Sequence, residues 1–188
     1  MEQSNLNRDR TAETPRIYVA SLADYNAGRL HGRWIDADQP AEAIREQIAL
    51  MLAESKEPIA EEWAIHDYEN FGGLTLSECE DIDKVAEVAF MIAEHGSVFA
   101  SLLGHLGGTS SVDEARRYME EGYRGEFDSL ADYAQELIED CYSDALKDLP
   151  DFIRYHIDYD GIAHDMELNG DIFTFESGRR VHVFDAHI

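Results

Sequence analysis

One stretch of the chain carries an acidic residue at every fourth position: Asp128, Asp132, Glu136, Asp140, Asp144 and Asp148. If the stretch is helical, successive carboxylates lie on one face, about 6 Å apart along the axis. Like charges at this spacing cost a helix a few tenths of a kcal/mol per pair, and only Lys147 is close enough in sequence to offset them. This row, the acidic ladder, is either a solvated helix face or a surface for a basic partner.

A second group of residues, 156–167, partly fits a calcium-binding loop. Asp158, Asp160, Gly161 and Glu167 occupy the third, fifth, sixth and twelfth positions of such a loop. His156, however, stands where the first carboxylate ligand belongs. The segment is either a glycine turn between two short helices or the site of an acidic calcium-binding protein, which is the alternative function.

Motifs for catalysis or for a cofactor are absent from the sequence. The eight histidines have no HExxH-like spacing, and neither Cys79 nor Cys141 belongs to a paired-ligand motif. No GxSxG, P-loop or GxGxxG motif occurs. Acidic residues are so abundant that nominating two of them as a general acid and base carries no information. We therefore predict that the protein is not an enzyme and has no metal site and no cofactor.

The overall charge limits which partners are possible. The 188 residues include 40 acids and 15 Lys or Arg, which gives a formal net charge of −25, while a hydrophobic fraction of 44% indicates a folded core. Nucleic acid and anionic membrane would both be repelled, so neither is expected to bind directly. The sequence has no apolar run near ~18 residues and no signal-peptide pattern, which predicts a cytoplasmic protein.

The excess charge is confined to two blocks. Residues 57–115 contain 13 acids and one base, Lys84, whereas residues 126–171 contain 14 acids against Lys147 and Arg154. The segments outside these blocks are nearly neutral. A need for solubility or a halophilic adaptation would explain the total charge but not its segregation.

Proteins that handle DNA present basic surfaces, so the acids can be compared with DNA phosphates. A duplex carries one phosphate per ~1.7 Å of axis, and six ladder acids over ~30 Å are too sparse to imitate it alone. Other acids must therefore contribute. The candidate partner-binding acids are Glu61, Glu62, Asp67, Glu69, Glu78, Glu80, Asp81, Asp83, Glu87, Glu126, Asp128, Asp132, Glu136, Glu139, Asp140, Asp144 and Asp148.

The first half of the chain has the pattern of a small α+β unit followed by helices. Strands are predicted at 17–20, 30–35 and 63–66, and a helix at 41–54 whose apolar face contains Ile44, Ile48 and Leu52. A Ser77-x-x-Glu80 capping box predicts the start of the next helix, which Gly96 ends. The expected division is a disordered leader at 1–15, an N-terminal α+β domain at 16–70 and a central helical domain at 71–122.

The remaining residues, 123–188, are predicted to form a C-terminal α+β domain. A second capping box, Ser111 to Glu114, begins a helix that ends near Gly122. Ser129 is the expected cap of a helix running from 130 to about 146, which would hold most of the acidic ladder. The alternation at 172–175 and 181–184 around a Ser-Gly turn predicts a C-terminal β-hairpin.

Several stretches together resemble the ArdA-type antirestriction proteins of conjugative plasmids and transposons. They are IYVASL at 17–22, YNAG at 25–28, LHGRWI at 30–35, EWAIHDYE at 62–69, YRGEFDSLADYA at 123–134, DYDGIA at 158–163 and GDIF at 170–173. The resemblance covers nearly all of residues 16–185. Residues 123–134 lie in the region that the family's antirestriction motif occupies.

The resemblance implies an elongated α+β chain of three small domains, with short antiparallel sheets and helices, that dimerises into a curved acidic rod. Such proteins resemble bent DNA and occupy the DNA groove of type I restriction–modification enzymes, on the methyltransferase core. Incoming DNA is then neither cleaved nor, in many cases, methylated. We expect the apolar, nearly neutral C-terminal region to contribute to the dimer interface.

Overall fold

The computed structural model describes residues 14–188, so all but the last two residues of the predicted leader lie outside the described part of the chain. The fold is α+β, as predicted, with two three-stranded antiparallel sheets among the described residues. The chain forms two compact units, an N-terminal unit that ends at Val112 and a C-terminal unit from Asp113 to Ile188. Within residues 14–188, no helix is both long and apolar enough to span a membrane.

The sheet of the N-terminal unit has the strand order β2-β1-β3. Its strands are β1 (Arg16–Ser21), β2 (Gly32–Asp36) and β3 (Trp63–Glu69). The alternation in β1 buries Ile17 and Val19 and pairs Ile17 with Ile35 of β2. Helix α2 (Ala41–Ala53) buries Ile44, Ile48 and Met51. The three predicted strands and this helix are confirmed, although β2 begins two residues later than expected and β3 ends three residues later. On the helix, Met51 rather than the predicted Leu52 is buried.

A short helix, α1 (Leu22–Asn26), was not anticipated between the first two strands. Ser21 caps it by accepting a hydrogen bond from the Asp24 amide. Asp24 is only 2% exposed, and its carboxylate accepts hydrogen bonds from the Ser55 hydroxyl and the Arg29 guanidinium. These donors, Ser55 foremost, hold the Asp24 pKa below its ordinary value. The carboxylate thereby links α1 to the chain after α2.

Two helices complete most of the N-terminal unit, α3 (Ile82–His95) and α4 (Ser97–His105). Gly96 separates them with a φ of 71°, which suits glycine. Ser77 and Glu80 do form a turn, in which the Glu80 carboxylate accepts from the Ser77 amide at 3.1 Å. The helix, however, is capped by Asp81, so the start predicted from the Ser77 capping box was wrong. A 3-10 turn, Thr109–Ser111, follows α4.

The C-terminal unit contains a helical entry, a sheet and further helices. The entry consists of α5 (Val112–Arg117), which crosses the unit boundary, and a π-helical turn, Tyr118–Gly122, where the predicted helix end is confirmed. The elements that follow are β4 (Tyr123–Phe127), α6 (Leu130–Cys141), α7 (Ser143–Asp148), α8 (Asp151–Arg154), α9 (Tyr159–Asn169), β5 (Ile172–Ser177) and β6 (Arg180–Asp185).

The second sheet has the order β4-β6-β5. The predicted hairpin is confirmed as β5 and β6, with Gly178 in the left-handed region at a φ of 64°. Strand β4 was not predicted, and it pairs antiparallel with β6. Tyr133 of α6 packs with Ile172 and Val183 of the sheet in a buried cluster. Helix α6 is therefore fixed to the sheet by its apolar face.

Candidate functional site

The acidic ladder does not lie on one continuous helix. The helix predicted from 130 to about 146 ends at Cys141, and Tyr142 leaves helical geometry with a φ of −123° and a ψ of 23° before α7 begins. Asp132, Glu136 and Asp140 are on α6, whereas Asp144 and Asp148 are on α7. Asp128 precedes the helix. The prediction of a single ladder helix was wrong, although all six acids are exposed.

Helix α6 separates its apolar residues from its acids. Tyr133 and Ala134 are buried, and Leu130 and Leu137 pack against the same cluster. The outward side holds Asp132, Gln135, Glu136, Glu139 and Asp140, which line a shallow cavity of about 310 Å³. Packing of one face on the sheet therefore fixes the orientation of the acidic face.

The first acid of α6 also stabilises the helix. The Ser129 hydroxyl accepts a hydrogen bond from the Asp132 amide at 3.2 Å and donates one to the Asp132 carboxylate at 2.6 Å. A carboxylate in the first helical turn is favoured by the helix dipole. The predicted Ser129 cap is thus confirmed, and Asp132 has a structural role beside any role in binding.

Other acids near the ladder are paired with bases or amides. Arg180 of β6 contacts both Glu126, at 3.3 Å, and Asp128, at 2.6 Å. Lys147 contacts Asp144 at 2.9 Å. The Gln135 amide donates to Glu139 at 2.8 Å. Intramolecular contacts therefore offset part of the negative charge that the sequence places here.

Some of the candidate acids around β3 have partners within the chain and others do not. Glu69 forms a salt bridge with Arg16 at 2.6 Å, and Asp67 accepts a hydrogen bond from the Tyr68 amide. Glu61 and Glu62 are exposed, and their carboxylates make no hydrogen bond or salt bridge with any residue of 14–188.

Most of the candidate acids at the start of α3 make contacts that stabilise the fold. Asp81 accepts from the Asp83 amide as the helix cap, and Glu80 accepts from Thr109 at 3.1 Å. Arg45 of α2 lies 2.5 Å from the Asp83 carboxylate, and its hydrogen bond lowers the Asp83 pKa. Glu87 is half-buried in α3, whereas Glu78 is exposed.

Six of the seventeen candidate acids have carboxylates that are without a hydrogen bond or salt bridge to the described residues, 14–188. All six are exposed, and we call them the unpaired acids: Glu61, Glu62, Glu78, Glu136, Asp140 and Asp148. Three of them belong to each compact unit. They are the carboxylates that a basic partner could reach without first breaking an internal contact.

An open groove of about 510 Å³ lies beside α6 in the C-terminal unit. Asp171, which was not among the candidate acids, lines it together with the ladder acids Glu136 and Asp140. Arg124 and Asp185 also line it and form a salt bridge of 2.6 Å. The hydrogen bond from Arg124 is the largest cause that holds the Asp185 pKa below its ordinary value. Sequence reasoning missed Asp171 because only the fold brings the start of β5 next to α6.

The segment considered for calcium binding folds differently from a ligand loop. Most of it, from Tyr159, is the helix α9, and the Asp158 carboxylate accepts a hydrogen bond from the Gly161 amide at 3.0 Å as its cap. Asp160, Gly161 and Glu167 are helical residues. In the described part of the chain, no three His, Cys, Asp or Glu side chains are placed to hold a metal ion. The calcium alternative therefore has no support.

The acidic residues are shared almost equally between the two units. Residues 1–112 contain 20 acids and 8 bases, and residues 113–188 contain 20 acids and 7 bases. Each of the two stretches of sequence therefore carries about half of the total net charge. A net charge of this size attracts positively charged surfaces over a distance that the salt concentration sets.

Comparison with known proteins identifies the family. No curated protein sequence matches the chain. The family model described as Antirestriction protein (ArdA) matches residues 17–181, from the second residue of β1 to the second residue of β6. This family comprises antirestriction proteins rather than enzymes, which agrees with the resemblance seen in the sequence. The chain belongs to the ArdA antirestriction protein family.

Proposed function

We propose that this antirestriction protein is a DNA mimic that occupies the DNA-binding groove of a type I restriction–modification enzyme. Its carboxylates take the place of phosphates on the methyltransferase core of that enzyme. The enzyme can then neither bind nor cleave incoming DNA, and modification is blocked by the same occupancy. The protein itself does not bind nucleic acid.

The observation that carries the proposal is the outward face of α6. Its apolar side packs on the β4-β6-β5 sheet through Tyr133, so the carboxylates of Glu136 and Asp140 are held on a fixed helix and remain exposed and unpaired. Charges that are already placed lower the ordering cost of binding relative to a flexible acidic chain.

The mechanism is competition for the same basic groove. The Lys and Arg residues that bind DNA phosphate would instead meet the unpaired acids, through charge-assisted contacts. Association steered by such complementary charge is fast and is weakened by added salt. The acids that cap helices or pair with arginines add to the long-range field while they stabilise the fold.

The proposal includes a homodimer, since two copies would present a longer acidic surface than one. The C-terminal unit has exposed apolar side chains that could serve as an interface, including Tyr142, Phe152 and Tyr155. Sedimentation equilibrium at two salt concentrations measures the assembly directly. A monomer at all concentrations would remove the dimer from the proposal without affecting competition.

The test is displacement of a fluorescent duplex oligonucleotide from a type I methyltransferase core. We expect the wild-type protein to displace the duplex, and the variant Glu136→Gln/Asp140→Asn to require roughly tenfold more protein, since each exposed charge contact contributes up to ~1 kcal/mol. Raising the salt concentration should weaken the wild type more than the variant, because the variant has lost charge contacts.

A matched control is Asp36→Asn/Glu46→Gln, which removes the same charge from exposed positions of the nearly neutral segment 1–56. It should displace the duplex almost as well as the wild type. Equal losses in the two variants would refute the assignment of α6 to the contact surface. Failure of the wild type to displace the duplex at saturation would refute the proposed mechanism as a whole.

A further inference from the structure

The groove of about 510 Å³ in the C-terminal unit has an apolar floor. The floor is formed by side chains from four elements, namely Phe127 of β4, Tyr133 and Leu137 of α6, Met166 of α9 and Ile172 of β5. All five belong to the hydrophobic cluster that joins α6 to the sheet or pack against it. The groove is thus an open edge of the core, and its shape is fixed by the packing of the unit.

The rim of the groove is strongly acidic. The carboxylates of Glu136, Asp140 and Asp171 line it and make no hydrogen bond or salt bridge with any residue of the described chain, 14–188. The fourth carboxylate, Asp185, is paired with Arg124 at 2.6 Å. The rim, which also includes His187, therefore keeps an excess of negative charge beside the apolar floor.

This combination restricts what the groove can bind. An anion would be repelled by the rim, and a wholly apolar group would remove water from three carboxylates without replacing it. A small cation would leave the floor exposed to water. Lysine and arginine side chains satisfy both parts, because an aliphatic stem can cover apolar surface while the charged head stays at its edge.

We propose that the groove seats the side chain of one lysine or arginine of the partner enzyme, with its stem on Met166 and Leu137 and its head between Glu136 and Asp140. The proposal rests on the proposed function, since it takes the occupant from the basic groove of that enzyme. A groove that binds in this way does more than replace a phosphate. A phosphate offers a basic side chain charge and hydrogen-bond acceptors, whereas this groove also buries its stem.

The test uses the same displacement assay with a variant of the floor that leaves every charge in place. Met166→Gln is nearly isosteric and makes the floor polar, and it should weaken displacement about fivefold to tenfold through loss of stem burial. Because apolar burial is not screened by salt, the same factor is expected at low and at moderate salt. Leu137→Ser should act in the same direction, and thermal melting monitors whether each variant is folded.

The matched control is Leu168→Gln, which makes the same kind of change two residues further along α9. Leu168 is 70% exposed and does not line the groove, so the control should equal the wild type. If folded Met166→Gln also equals the wild type, the groove proposal is overturned while competition for the DNA site stands. If the wild-type protein displaces no duplex, the proposed function has failed and the groove proposal with it.

Discussion

Arg180 contacts two of the candidate acids, Glu126 and Asp128, and neutralises part of their charge. We expect Arg180→Gln to leave both carboxylates without this partner and to strengthen duplex displacement at low salt roughly threefold, the size of an exposed charge contact. The free energy of unfolding should fall by less than about 1 kcal/mol, because exposed salt bridges contribute little to stability. Displacement and thermal melting are the two measurements.

The neighbouring Arg179 provides the control for net charge. Arg179→Gln changes the formal charge by the same amount, but Arg179 has no salt bridge to the described residues, 14–188. If displacement improves equally in the two variants, total charge determines affinity, and the release of Glu126 and Asp128 from Arg180 does not.

Which acids are unpaired was not predictable at the residue level. The sequence identifies the acidic blocks, but the partner of Asp128 lies 52 residues later in the chain. Only the pairing of β4 with β6 brings Arg180 to this position, and β4 itself was not recognised. Caps within one helix turn, such as Ser129 with Asp132, depend on neighbours in sequence and were therefore easier to anticipate.

At the level of elements, the cap in the first turn of α6 contributes to the stability of the C-terminal unit. Ser129→Ala removes the acceptor of the Asp132 amide and should lower the free energy of unfolding by about 1 kcal/mol, as loss of a helix cap usually does. Thermal melting followed by circular dichroism measures the change. Ser143→Ala, at the first position of α7, is the control and should have a smaller effect, since α7 has no side-chain cap hydrogen bond.

The sequence predicted elements whose apolar residues follow a simple period. The strands β1 and β3, the helix α2 and the C-terminal hairpin all have this property. Prediction from this period failed for β4, because its residues, Tyr123–Phe127, include two charged side chains and a glycine at a φ of 124°. The pattern also failed at Tyr142, because no glycine or proline marks the break in the backbone there. Residues 141–144 have only weak helix propensity, but a difference of this size does not by itself fix where a helix ends.

For the whole molecule, the dominant electrostatic force is self-repulsion from a net charge of −25. We expect the melting temperature at pH 7 to rise steadily between about 0.02 and 0.5 M NaCl, because the Debye length falls across this range. A melting temperature that falls with salt would instead mean that the internal salt bridges outweigh the repulsion. The three-domain division and the rod shape stay predictions that solution scattering can address.

The even division of charge between the two compact units has a kinetic consequence. If both units contact the enzyme, a partner that releases one unit is still held by the other, at an effective concentration set by the connection between them. The released unit can therefore rebind before the whole protein dissociates. Substitutions confined to one unit would then shorten the lifetime of the complex only up to a limit, which the untouched unit sets. Full release would then require weakening of both units, and the protein would act as a bivalent ligand built from a single chain.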